Sequence, residues 1–330
     1  MKKYIILLSI GVVTLSCSHN STALLPEVSG KAGEVLVVAD QRYWDNEPGA
    51  VLENILRTQQ QGLPQEEPMF DVLQLPPGKV NKLFRSFRSI IFLKIGSEYE
   101  EPKIIVKQNV WAKTQLILQI QAKDQATCIE FMQKQEKTIL GQLLLAERQR
   151  LKGVYKKNQD FDISKVLNKH GVSLVVPKGF KVGIDTSEMV FLLRESRDIV
   201  QGVFVYFDQD PDTANITAEY LIQERDNILK NYPTWEVDSS YMIVETKYDM
   251  PEIYNYTINK KLRITELRGL WKTKGGLLRG GPFVSITAYD TKRNRTVTAD
   301  AFVFAPAHEY NKRNMIRELY AIICTLDFTE

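Results

Sequence analysis

Apolar positions along the chain follow two periods, and the switch between them separates predicted strands from predicted helices. In the first half, compact apolar runs bounded by turn residues predict strands at 33–40, 70–75, 89–95, 103–107 and 111–121, with one helix at 48–60. The run at 89–95 is apolar on both faces, which predicts a strand buried on both sides. From Asp124 onward, apolar residues at helical spacing predict one long helix that carries Ile129, Met132, Ile139, Leu140, Leu143 and Leu144.

The second half begins with a short predicted helix at 164–169, and apolar runs then predict strands at 189–194, 199–207, 253–259, 263–271, 283–289 and 296–304. Thr217 is a typical N-cap residue for the helix among these strands. The last helix has an apolar stripe that must pack against a sheet, formed by Met315, Ile316, Leu319, Tyr320 and Ile323. Hairpins flanked by helices predict an α+β fold, with two α/β-sandwich-like halves whose sheets are mainly antiparallel.

The extreme N-terminus has the pattern of an export signal. Lys2 and Lys3 precede an apolar run at 4–13, which is too short to cross a hydrocarbon core of ~30 Å as a helix. Small residues follow, and then Cys17. This arrangement resembles the lipobox of a bacterial lipoprotein, in which the chain is cut before the cysteine and the thiol is diacylated. The resemblance implies that Cys17 carries a lipid that anchors the chain to a membrane.

One residue departs from that motif, because Thr14 stands where a lipobox usually has leucine. The alternative is therefore an ordinary secretory signal followed by an incidental cysteine. The polar stretch 18–22 lacks the acidic residues that often follow the cysteine in surface-exported lipoproteins. We therefore expect the lipid-anchored chain to face the periplasm, at the periplasmic face of the outer membrane.

These patterns divide the chain into four predicted segments. Residues 1–16 form the signal peptide, 17–32 the lipidated N-terminus and tether, 33–155 an N-terminal α+β domain, and 156–330 a C-terminal α+β domain. The boundary between the two domains is placed in the basic, polar stretch 148–158, where the apolar period of the long helix fades.

Composition narrows the class of protein. The 330 residues are 44% hydrophobic and 25% charged, which is typical of a folded globular chain and excludes a disordered tail, a collagen-like rod and a multi-span membrane protein. Forty-three basic residues face 40 acidic ones, and loss of Lys2 and Lys3 with the signal peptide would leave 41 against 40. This near-neutral balance argues against a nucleic-acid partner.

Few side chains are available for catalysis or metal binding. Cys128 and Cys324 each sit in a helical, apolar pattern, which favours two separate buried thiols; a disulfide between the halves is the alternative. His170 and His308 lack a second ligand at metal-binding spacing, and no Gly-x-Ser-x-Gly motif occurs. We therefore predict no metal, no cofactor and no catalytic residues, and this scarcity favours a protein that is not an enzyme.

Five segments carry a resemblance to a known family: 63–70, 85–91, 111–115, 280–283 and 312–319. Their residues and order are similar to the domain-of-unknown-function 4837 family, whose members are Bacteroidetes lipoproteins with no assigned activity. The resemblance implies an envelope lipoprotein and brings no catalytic residues with it. Separately, 171–180 and the hairpins after it resemble the start of the photosystem P-subunit-like fold, a non-enzymatic binding module.

The glycine-rich segment 274–282 has two interpretations. A phosphate-binding loop would end in Lys-Ser or Lys-Thr at a helix N-terminus, whereas here Pro282 and a predicted strand follow. A hairpin loop that uses glycine for positive φ is therefore favoured. An anionic ligand stays open as the second interpretation, because a basic rim could surround the loop, formed by Arg268, Lys272, Lys274 and Arg279.

Two functions are consistent with these observations. The favoured one is a non-enzymatic binding or assembly module, anchored through Cys17, that binds an envelope protein or ligand. The alternative is a periplasmic carboxylate-dependent hydrolase, which a cleft bringing Glu66 or Asp300 opposite a second carboxylate would favour. The candidate binding surface consists of two loops, which contribute Gln65, Glu66 and Glu67 from one and Arg279, Gly280 and Gly281 from the other.

Overall fold

The computed structural model describes residues 25–209, 211, 216–232, 240–259 and 261–329. Its N-terminal half contains β1 (Glu34–Ala39), α1 (Gln41–Trp44), α2 (Glu47–Leu56), β2 (Asp71–Leu75), α3 (Lys82–Arg85), β3 (Ser89–Ile95), β4 (Lys103–Gln108) and β5 (Leu116–Ala122). Cys17 and the predicted signal peptide lie outside the described residues. No helix in the described ranges is both long enough and apolar enough to cross a membrane.

The five strands of this half form one sheet in the order β2-β1-β3-β5-β4. β1 pairs in parallel with β2 and β3, β3 pairs in parallel with β5, and β4 is an antiparallel edge strand. This half therefore departs from the predicted antiparallel arrangement. The reason is that α2 crosses over between β1 and β2, and β1 and β3 are apolar on both faces, as strands of a covered parallel sheet are. The predicted burial of β3 on both faces is confirmed.

Two helices follow, where the apolar period predicts one. α4 (Gln125–Lys134) ends and α5 (Glu136–Lys157) begins at Gln135, whose φ of −101° and ψ of 11° interrupt the helix. The first turns of α5 pack on the N-terminal sheet through Ile139 and Leu143, whereas Tyr155 near its end belongs to the core of the other half. α5 thus connects the two cores.

The C-terminal half contains α6 (Phe161–Lys169), β6 (Val172–Ser173), β7 (Lys181–Asp185), β8 (Met189–Ser196), β9 (Ile199–Asp208), α7 (Ala218–Lys230), β10 (Tyr241–Glu245), β11 (Glu252–Ile258), β12 (Leu262–Lys274), β13 (Gly280–Asp290), β14 (Arg295–Phe304), α8 (Lys312–Ile323) and β15 (Asp327–Phe328). Its large sheet runs β10-β12-β13-β14-β9-β8-β7, with β11 also paired to β12. Each of these ladders is antiparallel. The α+β class is therefore confirmed.

Helices cover both faces of this sheet. α8 packs Ile316, Leu319 and Ile323 onto one face, as its apolar stripe predicts. α7 covers the other face, and Thr217 caps it by accepting a hydrogen bond from the backbone N–H of Tyr220. Each half thus has its own core, and α5 and α8 run where the two halves meet.

The two described cysteines lie apart in these cores. Cys128 is buried in α4 against the N-terminal sheet, Cys324 is buried at the end of α8, and both are free thiols. The interpretation as separate buried thiols is confirmed. Burial raises the pKa of Cys128 to about 11 and raises that of Cys324 above its usual value, although Arg148 acts in the opposite direction on Cys324. Neither thiol is therefore a thiolate at neutral pH.

Candidate functional site

A cavity of about 270 Å³ lies where α5, α8, β11, β12 and the loop after α2 converge, and we call it the interdomain cavity. Its lining combines charge with apolar surface. It includes the arginines Arg148, Arg268 and Arg317, the carboxylates of Glu147 and Glu266, the rings of Tyr254 and Tyr320, and the apolar side chains of Met69, Leu144 and Leu151.

Regular geometry brings these side chains to one place. On α5, the lining residues Leu144, Glu147, Arg148 and Leu151 stand at i, i+3, i+4 and i+7, and therefore share one face of the helix. On α8, Arg317 and Tyr320 are three residues apart, and on β12, Glu266 and Arg268 are two apart, so each pair also shares a face.

Glu266 is the best-connected group in the cavity. Its Oε1 lies 2.8 Å from Arg268 Nη2, and its Oε2 accepts hydrogen bonds from the hydroxyls of Tyr320, at 2.5 Å, and of Tyr256. Burial alone would raise the pKa of Glu266, but the charge of Arg268 and the two tyrosine hydrogen bonds hold it below its usual value. Glu266 is therefore ionised, and its charge is matched by Arg268.

Glu147 is also held by arginines. Its Oε1 lies 3.0 Å from Arg88 Nε and 2.6 Å from Arg150 Nη1. Arg150 in turn donates to the backbone carbonyls of Thr114 and Arg88 and to Ser89 Oγ. Glu147 therefore forms a structural ion cluster between α5 and the N-terminal sheet.

Arg317 has no such counter-charge. Its Nε and Nη2 donate to Gln60 Oε1 at 3.2 and 2.8 Å, and its guanidinium stacks over the ring of Phe70. Its Nη1 is buried and has no hydrogen-bond partner among the described residues. Burial lowers the pKa of Arg317, and the charges of Arg313 and Arg268 lower it further. A guanidinium in this state gains from an added anion.

Arg148 adds a second cation without a carboxylate. Its Nη1 lies 3.4 Å from Cys324 Sγ and 3.5 Å from the Tyr320 hydroxyl, and its guanidinium lies over the Tyr320 ring at 5.1 Å. Within the described ranges, no carboxylate forms an ion pair with Arg148 or Arg317. Because Glu147 and Glu266 are already neutralised, the interdomain cavity has a surplus of positive charge.

The 65–67 loop lies beside the start of α8. Glu67 caps this helix, because its two carboxylate oxygens accept from the backbone N–H groups of Lys312, at 2.9 Å, and Arg313, at 3.0 Å. Gln65 accepts from Lys312 Nζ and donates to the carbonyls of residues 308 and 310, whereas Glu66 is exposed. Two of these three predicted binding residues thus connect the halves of the molecule.

The second predicted loop is a hairpin between β12 and β13, as expected. Gly275 and Gly276 have φ of 77° and 57°, which is the conformation that favours glycine. Gly280 and Gly281 lie at the start of β13, where a Cβ on Gly281 would stand 2.1 Å from the carbonyl oxygen of Val303. Arg279 is half-buried and donates to Ser240 Oγ. The 65–67 loop instead contacts α8. The two loops predicted as one candidate binding surface therefore lie against different elements of the fold.

The predicted basic rim of this hairpin needs correction. Arg268 lies six residues before the turn and contacts Glu266 in the interdomain cavity instead. Lys272 pairs with Glu245 on β10 at 2.9 Å. Lys274 and Arg279 alone flank the turn itself.

Asp300 and His170 occupy structural positions. Asp300 is fully buried in β14 and receives two hydrogen bonds from Arg225. His170 caps the C-terminus of α6, and its Nε2 lies 2.6 Å from Asp185 Oδ1. No group of three or more His, Cys, Asp or Glu residues that could hold a metal occurs in the described ranges.

The residues of the interdomain cavity were not predicted as a site. Arg317 appears in the sequence only as one charged position of the segment 312–319, next to Ile316 in the apolar stripe of α8. The sequence nevertheless contains a signal for these residues. Arg313 and Arg317 occur at i and i+4, and so lie on one face of a helix that has to pack against its neighbours. Basic residues in such a position need either a counter-charge or a ligand.

Comparisons with known proteins give families without an assigned activity. A model described as a domain of unknown function (DUF8532) matches residues 28–156, and no curated protein matches the chain. Similar solved structures include a point mutant of the protein Mog1, which is 11% identical with a TM-score of 0.33 over 48% of this chain and 92% of that one. Another is cyanobacterial PsbP (CyanoP) from Synechocystis sp. PCC 6803, 10% identical with a TM-score of 0.30 over 48% and 88%. A third is the human StarD13 (DLC2) lipid transfer and protein localization domain, 10% identical with a TM-score of 0.21 over 45% and 89%.

Scores this low carry no argument about the fold or function of this chain. The match to a family model covers half of the chain. A model described as a domain of unknown function (DUF4837) matches residues 159–325, from the start of α6 to the end of α8. The family resemblance is confirmed for the segments 280–283 and 312–319, whereas 63–70, 85–91 and 111–115 fall in the range that the DUF8532 model matches. The chain belongs to the DUF4837 family.

Proposed function

We propose that this chain is a lipid-anchored envelope lipoprotein that acts as a non-enzymatic binding module, and that the interdomain cavity binds a small anion with an apolar body. The observation that carries the proposal is Arg317, which lines the cavity, has no carboxylate partner in the described ranges and keeps its Nη1 buried without a hydrogen-bond partner. An anionic oxygen beside this guanidinium would accept a charge-assisted hydrogen bond, which is stronger than one between neutral groups.

The rest of the lining supports the same ligand chemistry. Arg148 provides a second cation without a carboxylate, and the guanidinium groups favour carboxylate, sulfonate or phosphate oxygens. Met69, Leu144 and Leu151 provide apolar contact, and the Tyr254 ring can stack against a flat ligand. A volume of about 270 Å³ suits a small molecule and not a peptide.

The same contacts favour binding over hydrolysis. A carboxylate-dependent hydrolase needs one carboxyl group whose raised pKa keeps it protonated. In the cavity, the pKa of Glu266 is lowered and Glu147 is clamped between Arg88 and Arg150. Burial raises the pKa of Asp300, but its side chain is fully buried and paired with Arg225 inside the core. None of these carboxyl groups is therefore an accessible acid.

A pair of dyes tests the cavity. Anilinonaphthalene sulfonate carries an anionic group on an apolar body, and N-phenylnaphthylamine has a similar body without the charge. We expect Arg317→Met to weaken sulfonate binding at least about tenfold, the loss of one charge-assisted contact, and to leave the neutral dye unaffected. Binding is measured by fluorescence titration, and competition with simple carboxylates then ranks ligand classes.

The matched control is Arg42→Met, which removes an equally charged but exposed guanidinium on α1. It should leave both titrations unchanged. If Arg317→Met binds the sulfonate as well as the unaltered chain does, the cavity is not the anion site. If Arg317→Met and Arg42→Met weaken binding equally, the effect is one of net charge only.

The anchor has its own test. Cys17→Ala should abolish labelling by radioactive palmitate and release the chain from membranes, because a single acylated cysteine supplies the anchor. Protease digestion of intact and permeabilised cells reports the side of the outer membrane, and we expect digestion only after permeabilisation. Palmitate labelling that persists in Cys17→Ala contradicts the anchor and leaves the cavity proposal standing.

A further inference from the structure

The turn between β12 and β13 exposes two adjacent leucines, and we call residues 274–279 the hairpin tip. Leu277 is 67% exposed, and Leu278, at 85%, is the most exposed large apolar side chain in the described ranges. Single exposed leucines are common on protein surfaces, but two adjacent ones in one turn form an apolar contact point. The hairpin tip is unrelated to the interdomain cavity.

The tip is held in a fixed shape. Thr273 Oγ1 donates to the carbonyl of Leu277 at 2.7 Å and accepts from the backbone N–H of Arg279 at 2.8 Å, and the Thr273 N–H donates to the Arg279 carbonyl at 2.9 Å. Positive φ at Gly275 and Gly276 closes the turn. These contacts hold the backbone of the tip in one conformation. Binding through the leucines therefore does not carry the entropic cost of ordering the turn.

Charge around the tip favours an anionic surface. Lys274 and Arg279 flank the leucines and no Asp or Glu occurs from 267 to 289, although the carboxylate of Asp226 on α7 interacts electrostatically with Lys274. Lys272 is paired with Glu245, whereas Lys274 is exposed beside the leucines. In a bilayer that contains anionic lipids, the acyl chains lie below negatively charged headgroups. Apolar residues at the end of a turn, with cations behind them, match this arrangement.

Ala32, eight residues into the described chain, lies near the same end of the C-terminal sheet. Gly281, at the base of the hairpin, lies against Val303 near the end of β14. α8 begins eight residues after β14, and Asn314 in its first turn donates to the carbonyl of Ala32. The chain before Ala32 runs along the N-terminal half, where the Pro26 carbonyl accepts from the Lys113 N–H, and Cys17 precedes Ala32 by 15 positions, a span of at most about 54 Å.

We infer that the hairpin tip inserts Leu277 and Leu278 into the headgroup region of the membrane that carries the lipid anchor, with Lys274 against anionic headgroups. This inference rests on the anchor proposed at Cys17, because that anchor would hold the chain close to the bilayer. It adds a second contact point, and two contacts fix the orientation of the body above the membrane where one tether cannot.

The test places an environment-sensitive nitrobenzoxadiazole label at Leu278→Cys in the full, lipidated chain. Cys128 and Cys324 are buried, so labelling is specific for the new cysteine. The control label is Lys292→Cys, in the exposed turn at the other end of β13 and about 35 Å away along the strand. The vesicles contain phosphatidylethanolamine and phosphatidylglycerol, with and without nitroxide-labelled lipid.

We expect a blue shift and higher emission for the label at 278, with quenching by nitroxide lipid, and no change for the label at 292. Leu277→Asp should abolish the shift at 278, and Lys274→Glu should reduce it. Equal signals at both positions overturn the inference. So does a shift at 278 that needs envelope protein extract and not lipid, because the tip then docks on a protein. Palmitate labelling of the same samples separates failure of the anchor from failure of the tip.

Discussion

Arg225 and Arg317 are two arginines with a buried, unbonded Nη1, and they differ in everything around that atom. Arg225 lies between α7 and the C-terminal sheet, donates to Asp300 Oδ2 at 2.8 Å and to Oδ1 at 3.2 Å, and sits over the Phe283 ring at 4.3 Å. Arg317 donates to the neutral amide oxygen of Gln60 and faces a cavity.

The two environments act oppositely on basicity. Burial alone would lower the pKa of Arg225, but the charge of Asp300 raises it above its usual value. For Arg317, burial and the charges of Arg313 and Arg268 lower the pKa, and the charges of Glu147 and Asp71, which form no ion pair with it in the described ranges, only partly offset them. An unbonded nitrogen alone therefore does not distinguish the two sites. The missing counter-charge and the adjoining space are what make Arg317 a binding group and Arg225 a structural one.

The largest effect is expected at the closed pair. Asp300→Ala leaves Arg225 buried and unpaired, which should lower the free energy of unfolding by about 3–5 kcal/mol. Urea titration followed by circular dichroism measures this loss. The matched control replaces both partners, Arg225→Met with Asp300→Leu, and should recover most of the stability because no uncompensated charge is left. A loss below about 1 kcal/mol in Asp300→Ala would show that the pair does not support the core.

The elements of the fold were largely predictable, because burial leaves a local mark. The apolar run of β3 reflects burial on both faces, the stripe of α8 reflects one face packed on a sheet, and both elements occur where the pattern places them. Pairing direction leaves no such mark. A short apolar run fits a parallel or an antiparallel neighbour, so the parallel pairs of β1 and β3 were missed. The break at Gln135 was missed too, since apolar spacing continues across it.

The site was less predictable than the fold, because its parts are far apart in sequence. Arg148, Glu266 and Arg317 come from α5, β12 and α8, and only tertiary packing brings them together. The sequence offers Asp300 only as a possible carboxylate of a hydrolase, because its partner Arg225 lies 75 residues earlier. The binding role proposed for the two sequence-chosen loops stays a prediction, with Gln65 and Glu67 occupied by contacts to α8.

An intermediate effect is expected at Glu266, the matched charge of the cavity. Because its pKa in the folded chain lies below the unfolded value of 4.5, Glu266 adds stability above that pH and loses it as the pH falls further. Glu266→Gln should therefore cost about 1–3 kcal/mol at pH 7, where Arg268 loses its counter-charge, and should flatten the acid limb of the stability curve. Urea midpoints between pH 3 and pH 7 measure both.

The control is Glu53→Gln, which removes an exposed helical pair with Arg57. It should change stability by only a few tenths of a kcal/mol. If Glu266→Gln and the unaltered chain lose stability in parallel on acidification, folding does not lower the pKa of Glu266. Arg268 and the two tyrosine hydroxyls would then not stabilise its charge.

The smallest effect on stability is expected at Arg317, although its effect on binding is large. Arg317→Met removes the hydrogen bonds to Gln60 but also relieves repulsion from Arg313 and Arg268, so the free energy of unfolding should change by less than about 1 kcal/mol. Anilinonaphthalene sulfonate should raise the unfolding temperature of the unaltered chain and not of this variant, because a ligand stabilises only the state that binds it. A loss of 3 kcal/mol or more, as for Asp300→Ala, would place Arg317 with Arg225 among the structural arginines and remove the main support for an anion site.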